Sequence, residues 1–393
     1  MRLMRAHRCL VFLFVAALFL SLISCGKDEK PKDVQPAGPI LLGAYYNPWF
    51  GADAGQWANY LRKKLTIQQA PVLGEYNCQD IPTIKKHLDW ARDADIDFFA
   101  MDWCGPNTWT DTAIKQQWAP YLAKTQSKFR FCISYQTLFI LNNSGGGIPI
   151  TRDSTKQLLD QFTYLATEYF GNPNYLKIDG RPVVFMKYSR MLAGDYEKAL
   201  ARVKTIIKHQ KGFNIFLVGD EVWWKGITPQ RIKSFDAITA YSLQGPLQYD
   251  GMPLLTGFFT DAEKQFDAYK TEAAKSNVRF IPSVMPGYND RGVQSDVPHA
   301  ILSRDATMDK ENEGTTYRLY FRLAKKYLDT PLNMLMITSF NGWAEDTQIE
   351  PCTSSFLTPA KHPVELTGGY NYYGYNDQYL KITKDEKAIE TKK

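Results

Sequence analysis

Cysteine and histidine are scarce in this chain, six and five among 393 residues, and no CxxC or Cys/His ligand spacing occurs among them. That absence excludes the common zinc frameworks, and neither a metal nor an organic cofactor is expected. Charge of one sign is also lacking. Forty-seven basic residues against 41 acidic ones leave a formal +6, and the leader removes three arginines of that excess. So mild and even a balance gives no footing for nucleic acid. No glycine-rich phosphate loop follows the first predicted strand, which argues against an open doubly wound nucleotide-binding sheet. The apolar run Leu10 to Leu20 stops short of the ~20 residues that a membrane span requires.

What the first residues do contain is an address. Arg2, Arg5 and Arg8 precede the apolar run, and Leu22-Ile23-Ser24-Cys25 resembles a lipobox, in which the cysteine is lipidated and becomes the mature N-terminus. Residues 1–24 are therefore expected to be a lipoprotein signal peptide. Gly26-Lys27-Asp28-Glu29 resembles the signal that sends bacterial lipoproteins to the cell surface. Residues 25–38, rich in Lys, Asp, Pro and Gln, cannot bury a core and read as a surface tether. The expected location is the outer membrane, facing outward, anchored through lipid on Cys25.

The remaining 39–393 alternate between two periodicities. Uninterrupted apolar runs predict strands at Ile40–Tyr45, Asp97–Met101, Phe129–Ser134, Pro182–Met186, Asn214–Val218, Ala237–Ala240, Arg279–Val284 and Asn333–Thr338. Between them, Ile81–Ala94, Asp111–Ala123, Thr155–Tyr169, Asp195–Gln210, Asp261–Ser276 and Thr315–Tyr327 carry apolar residues at helical spacing. Eight strands alternating with helices predict an α/β fold, a (β/α)8 TIM barrel with extended βα loops. Such barrels place their chemistry on the loops beyond the C-terminal strand ends.

Aromatic and acidic residues recur at those ends. Aromatics make up 14% of the chain, and a pyranose stacks its apolar face on such rings. The first strand runs into Tyr45-Tyr46-Asn47-Pro48-Trp49, and Leu73-Gly74-Glu75-Tyr76 follows in the next long loop. Later strands give Asp102-Trp103, Tyr135-Gln136, Tyr188, Asp220-Glu221 with Trp223 and Trp224, Tyr241, and Pro286-Gly287-Tyr288-Asn289. The last runs into Asn341-Gly342-Trp343-Ala344-Glu345-Asp346-Thr347-Gln348-Ile349-Glu350-Pro351.

That final run resembles the signature of glycoside hydrolase family 99, the endo-α-mannosidase group, which reads Asn-Glu-Trp-x-Glu-Gly-Thr-Gln-Ile-Glu-Pro. Tyr45 to Trp49, Leu73 to Tyr76 and Asp179-Gly180-Arg181-Pro182 are similar to further family motifs, so the resemblance covers roughly Leu42 to Pro351. It implies a hydrolase acting within α-linked, mannose-containing glycans, in company with other surface glycan-utilisation proteins, with Glu345 as general acid/base. It also implies a second Glu, the base on the sugar 2-hydroxyl, where this chain has Gly342. Either another acid replaces it, or a water-based inverting route is used, or the protein binds glycans without cleaving them. Asp102, Glu221, Glu75 and Asp346 are the candidates to reach in. Asp102 and Glu221 are favoured because they follow strands directly. The expected substrate contacts are Tyr45, Tyr46, Trp49, Glu75, Trp103, Tyr135, Tyr188, Tyr241, Asn341 and Trp343.

Overall fold

The computed structural model describes residues 38–51, 54–141, 148–224, 226–243, 255–294, 300–306, 313–353 and 364–389. The expected signal peptide, the expected lipidation site at Cys25 and residues 26–37 of the expected tether lie outside them. The compact unit Pro39–Lys393 contains the fold.

Nine strand segments occupy eight barrel positions. They are β1 (Leu41–Tyr46), β2 (Phe98–Trp103), β3 (Arg130–Gln136), β4 (Arg181–Lys187), β5 (Phe216–Asp220), β6 (Ala237–Thr239), β7 (Arg279–Ile281), β8 (Ser283–Val284) and β9 (Met334–Ile337). Every neighbouring pair is parallel, in the order β7-β6-β5-β4-β3-β2-β1-β9-β8. The path starts on one half of a single strand and ends on the other half, with Pro282 between. Its carbonyl accepts the Met336 N–H at 3.0 Å, so the sheet meets itself and closes. The (β/α)8 barrel expected from the sequence is the fold.

The predicted helices appear as α1 (Ile81–Asp93), α2 (a continuous run from Trp109–Thr112 through Ala113–Trp118 to Ala119–Lys124), α3 (Arg152–Glu168), α4 (Tyr196–Lys211), α5 (Leu255–Lys275) and α6 (Thr315–Lys325). Local chemistry marks their ends. A reciprocal Thr151/Ser154 capping box opens α3, and Gly212 at φ 76° closes α4 in a left-handed cap. A further helix, α7 (Gln378–Ala388), was not foreseen.

Because successive strand residues face opposite sides, each strand sends alternate side chains into the barrel and the rest toward the helices. The inward set is fixed by contacts and register. Tyr45 lies edge-on to Phe185 and to Tyr241, with centroids 5.8 and 5.0 Å away. Ala100 pairs with Cys132 and Asp102 with Ser134. Gln136 pairs with Lys187, and Phe185 with Val218. At the floor, a Cβ on Gly43 would collide with the Phe98 ring, so the glycine makes room for that ring.

Candidate active site

The mouth of the barrel is formed by inward residues at the C-terminal strand ends. Beyond β9 the chain folds back on itself: Ser339 N–H donates to the Thr347 carbonyl at 2.8 Å, and Ile349 N–H to the Ser339 carbonyl at 3.0 Å. Within this closed loop a single 3₁₀ turn, Trp343–Glu345, presents Glu345. The turn ends at Asp346, in the left-handed region at φ 50°, a conformation that glycine adopts freely and Asp tolerates better than most side chains. That accounts for the glycine at this place in the pattern the sequence resembles. Asp346 is held in place by two buried arginines, Arg62 at 2.6 Å and Arg304 at 3.1 Å, which keep its carboxyl below the ordinary range despite burial.

Glu345 is partly exposed. Tyr241, beyond β6, donates its hydroxyl to Glu345 Oε2 at 2.8 Å. Burial pushes the Glu345 carboxyl above its usual value, and the negative charges of Asp290 and Asp102 push the same way; Lys187 and the Tyr241 hydrogen bond pull it back. Tyr241 itself is raised well above the usual tyrosine value by burial and by Glu345, so it stays protonated as a donor. Lys187, at the end of β4, reaches Asp102 Oδ2 at 3.3 Å and sits 3.5 Å from the centroid of the Tyr241 ring. Asp220 organises the neighbouring loops by accepting Tyr241 N–H and Tyr188 N–H, each at 2.8 Å, and pairing with Arg190 at 2.5 Å. Tyr188 stands partly exposed, 6.1 Å from Tyr241. An acid that holds its proton more tightly than usual, near a second carboxylate and aromatic rings, can give that proton to a glycosidic oxygen.

Of the residues singled out in the sequence, Glu345, Asp102, Tyr45, Tyr188 and Tyr241 come together here, and Trp49 is partly exposed on the loop after β1. Tyr46, Trp103, Tyr135 and Glu221 do not join them, because each is one step along its strand from an inward residue. Tyr46 is fully buried, bonded to His87 Nδ1 at 2.9 Å and stacked on Phe99. Trp103 gives its indole N–H to Asp111 at 2.7 Å, and Tyr135 bonds Gln161 on α3. Glu221 is engaged by Arg231 at 2.8 Å and Ser189 at 2.7 Å. Glu75 is exposed and paired with Lys63.

Asn341 and Trp343 are buried supports. Asn341 grips the main chain of Asn47 from both sides, at 2.7 and 3.0 Å, and Trp343 donates to Glu350 at 2.7 Å. A Cβ on Gly342 would collide with Ser339 Oγ and Thr347 Oγ1, which bond each other at 2.9 Å. Position 342 therefore faces a packed hydroxyl pair. Lys187 was missed by sequence reading, while Gln136 and Asp220 were noted at strand ends but passed over for their neighbours Tyr135 and Glu221. Strand parity was the signal that finds all three. Cys78, Cys104, Cys132 and Cys352 form no disulfide, and Cys132 is buried in β3.

The profile of Glycosyl hydrolase family 99 matches residues 39–387, the whole barrel. The chain belongs to glycosyl hydrolase family 99. Among its relatives, the glycoprotein endo-alpha-1,2-mannosidase of Rattus norvegicus is 22% identical over 298 residues, covering 71% of this chain and 56% of the relative. The glycoprotein endo-alpha-1,2-mannosidase-like protein of Homo sapiens is 24% identical over 333 residues, covering 80% and 62%. This family 99 chain thus spans little more than half the length of the curated relatives it matches first. In fold it is similar to a glycoside hydrolase-like protein, with a TM-score of 0.69 and 18% identity over 90% of this chain and 95% of that one. It is also similar to the family 99 endo-alpha-mannosidase of Bacteroides thetaiotaomicron, with a TM-score of 0.63 and 19% identity over 88% and 96%.

Proposed function

We propose that this chain is a glycoside hydrolase that cleaves within α-linked, mannose-containing glycans, held at the cell surface by lipid on Cys25. The observation that carries the reading is Glu345, raised by burial and hydrogen-bonded to Tyr241 in the mouth of a family 99 barrel. Glu345 passes its proton to the glycosidic oxygen as the bond to the anomeric carbon breaks, and the bonding pair leaves with that oxygen. Asp102, an inward carboxylate at the end of β2, offsets the positive charge that develops on the sugar. Water then adds to the anomeric carbon and returns a proton to Glu345. The relatives named as endo-alpha-1,2-mannosidases support the choice of sugar, and the leader supports the location.

The second reading, a barrel that binds glycans without cleaving them, draws on Gly342, where no side chain fits. One assay separates the two. Hydrolysis of an α-mannobioside by the parent that falls by about a hundredfold or more in Glu345→Gln supports the enzyme. Binding without hydrolysis, unchanged in that variant, supports the binder.

A further inference from the structure

Asp102 and Ser134 are paired in register on β2 and β3, and Gln136 on β3 is paired with Lys187 on β4. These four inward side chains are therefore contiguous around one arc of the barrel mouth. All are buried, Asp102 and Ser134 completely and Gln136 at 1% exposure. Yet Asp102 Oδ1, Ser134 Oγ and Gln136 Nε2 have no hydrogen-bond partner among the described residues. Polar atoms orphaned in a buried place are costly, and proteins retain them where another molecule completes them. The orphans comprise an acceptor, a donor and a hydroxyl that can be either, which is the complement of neighbouring hydroxyls on a sugar ring.

We propose that Asp102, Ser134, Gln136 and Lys187 form the seat of the sugar whose bond is cleaved, with Lys187 as a positioning residue that holds Asp102 turned toward the ring. This rests on the hydrolase reading above. Lys187 occupies Asp102 Oδ2 at 3.3 Å, which leaves Oδ1 for the sugar. A carboxylate fixed in place by such a contact suits a developing positive charge. The sugar's own 2-hydroxyl therefore need not be deprotonated for cleavage by this chain, which dispenses with a base at position 342.

Among the described residues, the groups that face Glu345 are Lys187 and Tyr188 from β4 and its end, Tyr241 from beyond β6, Asp290 and Tyr288 from the loop after β8, and Asp102 from β2. Lys187 is the one cation among them, so its removal raises the pH at which Glu345 loses its proton.

The test uses the lipid-free chain from residue 39, the unit that holds the fold, with α-mannobiose for calorimetry and an aryl α-mannobioside for rates. Gln136→Ala breaks no bond recorded for its amide nitrogen, so the melting temperature should hold while the dissociation constant rises about tenfold. In Lys187→Met the falling, high-pH limb of kcat/KM should move upward, a change that loss of packing alone does not produce. An aryl mannobioside lacking the 2-hydroxyl on the reacting sugar should still be cleaved. Parent-like binding by Gln136→Ala and Ser134→Ala, or a 2-deoxy substrate left intact while its parent is cleaved, overturns the seat and leaves the hydrolase reading standing. Should Lys187→Met not fold, the Gln136→Ala binding result decides. A parent that neither binds nor cleaves the sugar overturns both.

Discussion

Tyr241 and Glu345 stand 104 positions apart in the chain and meet through one hydrogen bond of 2.8 Å at the mouth of the barrel. Tyr241→Phe removes that bond and keeps the ring beneath Lys187. Since the bond lowers the Glu345 value, its loss raises it, and activity that needs the protonated acid should persist to higher pH. The descending limb of a kcat/KM profile checks this, and a limb in the parent's place would take the role of acid away from Glu345.

Glu345→Gln should separate chemistry from binding. Turnover of natural glycan falls by about a hundredfold or more, while an aryl or fluoride glycoside, whose leaving group departs without a proton, keeps most of its rate. Equal losses on both substrates would count against proton donation.

Position 342 gives a prediction that pattern matching would reverse. Restoring a glutamate there suggests recovery of a catalytic pair, but the Cβ collides with Ser339 and Thr347. Gly342→Glu should cost about 1–3 kcal/mol of stability and raise no activity. Thermal unfolding and a rate assay on the same sample test both halves, and Gly342→Ala isolates the steric part.

Arg62 lies between Asp346 at 2.6 Å and Glu313 at 2.7 Å, all three buried. Arg62→Met leaves Asp346 and Glu313 with Arg304 alone to compensate them and should destabilise by about 3–5 kcal/mol in denaturant. The pH dependence follows in sign. Asp346 is held below its unfolded value, so its contribution to stability is present above the unfolded carboxylate range and is lost as pH falls through the folded value. The parent should weaken on acidification over that window, and the variant should weaken less.

At the membrane, Cys25→Ala should move the protein to the soluble fraction, because the lipid would supply nearly all the affinity. Persistence in washed membranes at high salt would end the lipoprotein reading.

The barrel was legible because parallel strands buried on both faces read as plain apolar runs, and Met334–Ile337 or Val183–Met186 can hardly be anything else. The same property hid half of the site. A strand apolar on both sides carries no alternation to say which residue points inward, so Trp103 and Tyr135 looked as suitable as Asp102 and Gln136. The strands also run longer than predicted: β2 continues through Trp103 and β3 through Gln136, so these are strand residues under strict parity and not loop residues free to turn. Lys187 marks the inward row of β4, and counting back by two from it reaches Phe185. Trp103→Ala should accordingly show itself first as a loss of stability, about 3–5 kcal/mol, from an emptied place between β2 and the helices.

The arginine clamp on Asp346 reaches well beyond the mouth. Arg62 also bonds the Tyr373 carbonyl and Arg304 stacks on Tyr375 and Tyr379, while Glu313 accepts the Tyr373 N–H. The carboxyl-terminal segment that enters α7 is in this way spliced onto the residue next to Glu345. A truncation or a fusion that displaces residues 372–379 would remove no side chain from around Glu345, yet it would loosen the loop that presents Glu345, so the tail is to be counted as part of the site when the chain is shortened or joined to another.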